Sequence, residues 1–341
     1  MRYRTIIIAE IGVNHNGSID LAQKLIDAAI STGVDYVKFQ TYITELSVTK
    51  AAPKAKYQIK DSEINTDSQY DMIKKLELSF NDFRKLKNYC DEKKIGFLST
   101  GFDFPSIDFL ADLNQDFIKI PSGEITNKPY LQHIARKGKE VIMSTGMADI
   151  HEVKDAIGVM VNEGLKKEQI TILHCNTEYP TPMEDVNLKA MLHIKEECGV
   201  KVGYSDHTLG IEVPIAAVAL GACVIEKHFT LDRTLPGPDH AASLEPMELK
   251  AMVVAIRNIE KALSGSGIKE TSNSELPNKV VARKSIHLAR SLKKDHILQE
   301  DDLIMKRPGD GISPMELDKI AGRKIRYDFP EEHKLSWEDL V

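Results

Sequence analysis

Cysteine and tryptophan are scarce in this chain, long apolar runs and any excess of positive charge are lacking, and these shortages remove whole classes of protein. The four cysteines, Cys90, Cys175, Cys198 and Cys223, stand far apart. They form neither a C-x-x-C pair nor the dense framework of a secreted disulfide scaffold, so they read as reduced packing residues. No apolar run approaches the roughly 20 residues that a membrane-spanning helix requires. Ile6-Ile7-Ile8 is too short for the core of a secretory leader and runs straight into Glu10. The expected setting is the cytoplasm, with no membrane partner. A formal net charge of −6 provides no global positive field for nucleic acid, so an anionic ligand has to be met by local charge.

What is present is a rhythm. Short runs rich in Val, Ile and Phe end in a polar or ionisable residue, and an amphipathic stretch follows each. The runs are Ile6 to Glu10, Tyr36 to Gln40, Gly96 to Thr100, Phe117 to Ser122, Val141 to Thr145, Ile170 to Cys175, Val202 to His207 and Cys223 to His228. Near-continuous apolar runs alternating with helical patterns predict parallel strands buried on both faces, and eight such units predict a (β/α)8 TIM barrel. The C-terminal ends of barrel strands carry the chemistry. On that reading Glu10, Lys38, Gln40, Thr100, Lys119, Ser122, Ser144, His207, Glu226 and His228 all face one mouth.

The chain has 341 residues, against about 250 for such a barrel, which leaves room for a second module. The expected division is a catalytic barrel over 1–265, a linker over 266–282 and a small C-terminal domain over 283–341. Ser264-Gly265-Ser266-Gly267 marks the change. Ser18 is expected to cap the first helix, Asp149 to open another that runs to Gly164, and the last barrel helix to span about Pro246 to Leu263. The connection Thr41 to Gln69 is long, Lys-rich and without a clear period. It reads as a flap over the mouth, or else as a linker-like excursion.

His207 and His228 end the seventh and eighth runs, which places two imidazoles over one side of the mouth. That pattern suits a divalent metal with positions left for water or substrate, whereas a lone histidine would more often be structural. Lys38 and Lys119 lie within otherwise apolar runs. Each is a Schiff-base nucleophile, an anion ligand, or a surface residue placed one register position wrong. The hydroxyls of Thr100, Ser122, Ser144 and Ser205 around them favour phosphate binding over imine chemistry. Glu10 opens a loop dense in Gly and Asn that is either a plain turn or the seat of a general acid/base. Pro236-Gly237-Pro238-Asp239-His240 forms a stiff loop that would hold Asp239 over the mouth.

Seven ordered segments carry a family resemblance: Ala9-Glu10-Ile11-Gly12-Val13-Asn14-His15-Asn16-Gly17, Lys119-Ile120-Pro121-Ser122-Gly123-Glu124, Ser144-Thr145-Gly146-Met147, Tyr179-Pro180-Thr181-Pro182, Ser205-Asp206-His207-Thr208, Glu226-Lys227-His228-Phe229-Thr230 and Pro236-Gly237-Pro238-Asp239. In order and spacing they resemble the bacterial sialic acid (nonulosonic acid) synthase family. The tail, with Lys306-Arg307-Pro308-Gly309, resembles its antifreeze-like (SAF) domain. The resemblance implies a barrel enzyme that condenses phosphoenolpyruvate with an open-chain N-acetylated amino sugar, giving a nine-carbon 2-keto acid and phosphate by C–O cleavage.

The resemblance also implies the parts. A divalent metal, manganese before magnesium or cobalt, would be held by His207 and His228. Lys38, Thr100, Lys119, Ser144 and Ser205 would bind phosphoenolpyruvate, with Ser122 and Tyr179 nearby. Glu10 would be the acid/base, and Gln40 and Asp239 would contact sugar or metal-bound water. Arg307 would reach the partner subunit's site in a domain-swapped homodimer. Two departures bear on the sugar: Gly101 stands between Thr100 and Phe102 where many N-acetylneuraminate synthases carry proline, and Cys175-Asn176 replaces their Thr-Asn. With Ile125-Thr126-Asn127 and Leu209-Gly210-Ile211, these residues look more like the branch that makes N,N'-diacetyllegionaminate from 2,4-diacetamido-2,4,6-trideoxymannose than the branch that uses N-acetylmannosamine. The competing readings are a lysine-dependent aldolase on the same barrel and a non-catalytic sugar-binding protein.

Overall fold

The computed structural model describes residues 4–54 and 68–341. Eight parallel strands close into a barrel: β1 (Ile6–Gly12), β2 (Tyr36–Thr41), β3 (Gly96–Gly101), β4 (Phe117–Ile120), β5 (Glu140–Ser144), β6 (Ile170–His174), β7 (Lys201–Asp206) and β8 (Val224–His228), with β8 pairing back onto β1. Each expected run is therefore a strand. Ser122 and Cys175 lie just beyond β4 and β6 rather than within them.

The period of two along each strand divides the side chains between two cores. Ile7, Ala9 and Ile11 of β1, Val37 and Phe39 of β2, and Ile225 of β8 point outward into the large core shared with the helices. Ile8, Leu98, Ile142, Leu173 and Val224 point inward and plug the bottom of the barrel. Gly203 admits this plug, because a Cβ there would lie 2.3 Å from the Val224 carbonyl oxygen and 2.7 Å from a Leu173 methyl. One step of two residues higher, the same inward rows become Glu10, Lys38, Thr100, Lys119, Ser144, Ser205 and Glu226, with His228 a further step up β8.

Both helix caps expected from the sequence, Ser18 and Asp149, are formed. In α1 (Ile19–Thr32) the Ser18 hydroxyl accepts from the Leu21 N–H, and Gly33 ends the helix in the left-handed region at φ 85°. The next described helices are α2 (Thr44–Ser47), α3 (Gln69–Leu76), α4 (Phe80–Lys93), α5 (Phe104–Asp112), α6 (Lys128–Ala135), α7 (Ile150–Asn162), α8 (Ala190–Cys198), α9 (Glu212–Ala219) and α10 (Pro246–Ala262). Asp149 caps α7 in a reciprocal box with Glu152. α2 is a correction to the aperiodic reading of the connection after β2. A single turn forms there because Glu77 accepts from both the N–H and the hydroxyl of Thr44, a clasp from beyond the connection that local periodicity does not contain. Residues 55–67, the middle of the expected flap, lie outside the described residues.

The loop after β1 is tied down at its base. The Asn14 amide donates to the Phe229 carbonyl at 2.9 Å and to the Ser243 hydroxyl at 3.0 Å. His15 Nδ1 accepts from the Gly17 N–H at 3.1 Å, and burial, helped by nearby His240, pushes this imidazole down to about 4. The folded value lies below the unfolded one, near 6.5. The unfolded chain therefore binds the proton more readily, and stability that is complete above pH 6.5 is lost as the pH falls toward 4. We expect the His15 ring alone to cost about 2 kcal/mol at pH 5 relative to pH 7. Calorimetric unfolding at both pH values checks this: a His15→Gln chain should show a smaller drop in Tm on acidification, and an equal drop in both chains would rule His15 out as the source.

Contacts divide the chain into two compact units, 1–264 and 265–341. The second begins with polar residues that lead into α11 (Leu276–Ala282), a helix within the range read as linker. An antiparallel pair, β9 (Ser285–Leu288) and β10 (Leu303–Lys306), follows. Ile286, Leu288, Leu298, Ile320, Ile325 and Leu335 give this unit its own apolar core. Buried Asp302 braces it, accepting from Arg290 at 2.7 Å and from His296 at 2.7 Å.

Candidate active site

Two lysines and two glutamates fill the barrel above its apolar plug. Lys38 Nζ lies 2.5 Å from Glu10 Oε2 and donates to Thr100 Oγ1 at 3.3 Å. Lys119 Nζ donates to Ser144 Oγ at 2.6 Å and to the Ile120 carbonyl at 3.2 Å. Glu226 stands between the two lysines, 3.8 Å from each, and its Oε1 accepts from Ser205 at 3.2 Å. All four charged side chains are buried.

Burial and opposite charge compete in this cluster, and the outcome differs from group to group. Burial pushes Glu10 up to about 7 against the pull of Lys38, while Glu226 pushes it further up. For Glu226 burial works the same way, but Lys119 and Lys38 together hold its carboxyl below the ordinary range. Burial would lower Lys38, yet Glu10 and Glu226 keep it above its usual value. Lys119 has weaker carboxylate support, and burial holds it below. One carboxyl is thus poised near neutrality beside a fixed ammonium.

Gly12 makes room for this arrangement. It occupies the irregularity in the β1–β2 register with φ +55°. A Cβ there would lie 3.1 Å from Glu10 Oε1, 3.3 Å from Gln40 Nε2 and 3.6 Å from Asp239 Oδ2. Gln40 and Asp239 therefore converge on the same spot as Glu10. Burial raises the Asp239 carboxyl to about 6 against Lys38.

The imidazoles of His207 and His228 stand with ring centres 5.5 Å apart. The Asn176 carbonyl contacts His207 Nδ1 and can only accept, so Nδ1 carries the proton and Nε2 presents its lone pair. Tyr179 reaches Nε2 through its hydroxyl at 3.0 Å and packs its ring 4.1 Å from that of His207. His228 Nδ1 is buried without a hydrogen-bond partner, 3.9 Å from Asp239 Oδ2. Burial lowers both imidazoles, His228 well below its usual value with His207 adding to the effect, so both are neutral at pH 7.

A divalent cation fits this donor set. Neutral imidazole is the ligating form, and an orphaned buried ring nitrogen is costly unless a ligand takes its lone pair. No group of three His, Cys, Asp or Glu suited to a metal occurs among the described residues. Among the described residues, a cation here would find two imidazoles, with its other positions left to water and substrate.

The structure brings twelve of the thirteen predicted site residues into this mouth. Ser122 accepts from the Gly146 N–H at 3.0 Å and lies 3.3 Å from Cys175 Sγ. Arg307, the thirteenth, belongs to the second unit, where it is exposed and its Nε donates to the Ala282 carbonyl at 2.9 Å. Sequence reasoning named Glu226 as facing the mouth but gave it no role. The signal was there, since Glu226 and His228 share one face of β8 while Lys227 takes the other. Cys175 was read as packing, yet its thiol borders Ser122. All four cysteines are free.

Comparison with known proteins agrees with this geometry. Residues 25–269 match the NeuB family and residues 283–341 match the SAF domain. The chain is 49% identical to N,N'-diacetyllegionaminic acid synthase of Campylobacter jejuni over 96% of its length and 98% of that protein's. It is 48% identical to the protein of the same name from Legionella pneumophila, covering 98% of this chain and 94% of that one. The crystal structure of N-acetylneuraminic acid (sialic acid) synthetase from Leptospira borgpetersenii in complex with citrate superposes with a TM-score of 0.70. It is 34% identical and covers 81% of this chain and 90% of that one. A barrel whose mouth gathers these residues, and a sequence that follows these relatives almost end to end, place the chain in the NeuB family, with an SAF domain at its C-terminal end.

Proposed function

We propose that this protein is a nonulosonic acid synthase that condenses phosphoenolpyruvate, an open-chain N-acetylated amino sugar and water into a nine-carbon 2-keto acid and phosphate. The observation that carries the reading is the single mouth in which Glu10, Lys38, Lys119 and Glu226 meet a pair of neutral imidazoles. The preferred sugar is 2,4-diacetamido-2,4,6-trideoxymannose rather than N-acetylmannosamine. Support comes from the names of the two relatives at 49% and 48% identity and from the Gly101 and Cys175 departures.

In the reaction, C3 of phosphoenolpyruvate bonds to the aldehyde carbon, whose oxygen takes a proton. Water adds at C2 and the C2–O bond to phosphate breaks. Lys38 and Lys119, with the hydroxyls of Thr100, Ser144 and Ser205, supply charge-assisted donors for the phosphate and carboxylate. Ser122 lines the same wall. Glu10, poised near neutrality, exchanges a proton with the aldehyde oxygen or the attacking water. Gln40, Tyr179 and Asp239 stand where sugar hydroxyls and water enter. His207 and His228 would hold a divalent metal, for which manganese is proposed. When bound, that ion supplies a Lewis acid for the aldehyde oxygen.

The depressed Lys119 is the one feature that favours a Schiff-base aldolase. Phosphate release from phosphoenolpyruvate separates the readings when measured with manganese or chelator and with both sugars in parallel. Manganese-dependent release, faster with the diacetamido sugar, is expected. Chelator-resistant turnover with borohydride trapping would establish the aldolase, and no release with either sugar would overturn the synthase.

Arg307 is proposed to complete the site of a partner subunit in a domain-swapped homodimer, a reading supported by the match of residues 283–341 to the SAF domain. Mixing Arg307→Ala with His207→Ala subunits should restore turnover that neither has alone. Demonstrated heterodimers without activity would sink the shared site.

A further inference from the structure

Lys227 and Asp206 lie on the outer face of the barrel, back to back with the imidazoles. Their Cα atoms are paired in register between β7 and β8, immediately below His207 and His228. Both side chains are fully buried, with Lys227 Nζ 2.5 Å from Asp206 Oδ2. The same ammonium also donates to the Thr208 carbonyl. Asp206 Oδ1 accepts from the Thr208 N–H at 3.1 Å and from the Thr208 hydroxyl at 2.9 Å. Lys227 therefore grips the residue before His207 and the residue after it, while being itself the residue before His228. The His207 carbonyl accepts from the Thr181 N–H at 2.9 Å, which pins the segment from the loop side.

A charge pair with no solvent contact is costly to bury, and apolar residues of similar volume would hold two strands together at least as well. What such residues would lack is direction. Carboxylate and ammonium lock their hydrogen-bond partners in one geometry, and among the described residues the segments they lock are those that carry the two imidazoles.

We infer that Lys227, Asp206 and Thr208 form a clasp that sets the separation and aim of His207 and His228, and so the affinity for a divalent cation. Lys227 and Asp206 are positioning residues that touch neither substrate nor metal. The inference rests on the reading of the two histidines as metal ligands.

The test is manganese binding to the full-length protein in the absence of substrate. The free Mn2+ signal in electron paramagnetic resonance gives Kd, and spin-echo modulation reports the nitrogens bound to the ion. An Asp206→Asn/Lys227→Met double variant removes both charges together and leaves no unpaired ion behind. It is expected to fold by circular dichroism, to bind Mn2+ about 10 to 100 times more weakly, and to lose one of two nitrogen couplings. A folded double variant with native Kd and both couplings overturns the clasp and leaves the metal reading standing. A native protein without any imidazole nitrogen coupling overturns the metal reading and the clasp with it. If the double variant does not fold, Thr208→Val decides, because it keeps both charges and removes only the hydroxyl that donates to Asp206. A Kd weakened at least about twofold supports the clasp, and an unchanged Kd overturns it.

Discussion

Replacing His228 by alanine is expected to remove manganese-dependent turnover by a factor of about a thousand or more while leaving the barrel folded. The size follows from what the ring is placed to do. A Lewis acid at the aldehyde oxygen contributes several kcal/mol to the transition state, and each 1.4 kcal/mol or so is a factor of ten in rate. With two imidazoles as the only protein ligands in the proposed set, loss of one halves that set. The small structural cost follows from the same geometry: His228 Nδ1 has no hydrogen-bond partner to lose. Truncating the ring leaves a cavity at the polar mouth, well above the apolar plug of Ile8, Leu98 and Val224. Steady-state turnover, Mn2+ titration and Tm, measured on one preparation, check the prediction. Turnover near the native rate with manganese present would remove His228 from the ligand set.

The barrel was legible because its signal is local. Each strand is a run of a few apolar residues, each helix carries its own cap, and alternation of inward and outward side chains follows from the pleat alone. Lys38 and Gln40, or Glu226 and His228, can be assigned to one face without knowing anything else about the fold. What lay out of reach depends on distance in sequence. Glu226 contacts both lysines only because the barrel closes, and no pattern within β8 announces that. Thr44 becomes a helical turn through Glu77, and Tyr179 reaches His207 from an irregular loop whose path no periodicity encodes. α11 was hidden for a different reason: its apolar residues, Leu276, Val280 and Val281, are exposed, so no buried stripe set it apart from the polar stretch around it. The buried clasp of Lys227 and Asp206 was present in the motifs as two charged letters beside two histidines. Only the outward face of the strand shows that they meet each other and not the substrate.

Glu10→Gln is expected to lower kcat by about a hundred to ten thousand fold, the range for losing a positioned acid/base, while the KM for phosphoenolpyruvate stays level or falls. The asymmetry comes from Lys38. In the resting site its ammonium lies 2.5 Å from Glu10 and 3.8 Å from Glu226, so part of its charge is already engaged before an anion arrives. Glutamine keeps the shape of the side chain and withdraws the competing charge, which frees Lys38 to meet the substrate's phosphate or carboxylate. Lys38→Met should do the reverse. It removes a donor for the anion, so KM for phosphoenolpyruvate should rise by about tenfold or more, in line with the 1.5–3 kcal/mol carried by a hydrogen bond to a charged group. It also deprives Glu10 of the charge that opposes its burial, which drives that carboxyl further up from about 7 and leaves it protonated over more of the working range. The two variants therefore separate along different kinetic axes although their native side chains touch. If Glu10→Gln raised KM as steeply as Lys38→Met and spared kcat, Glu10 would be a binding partner of the lysine alone, and the proton would have to travel through another group in the mouth.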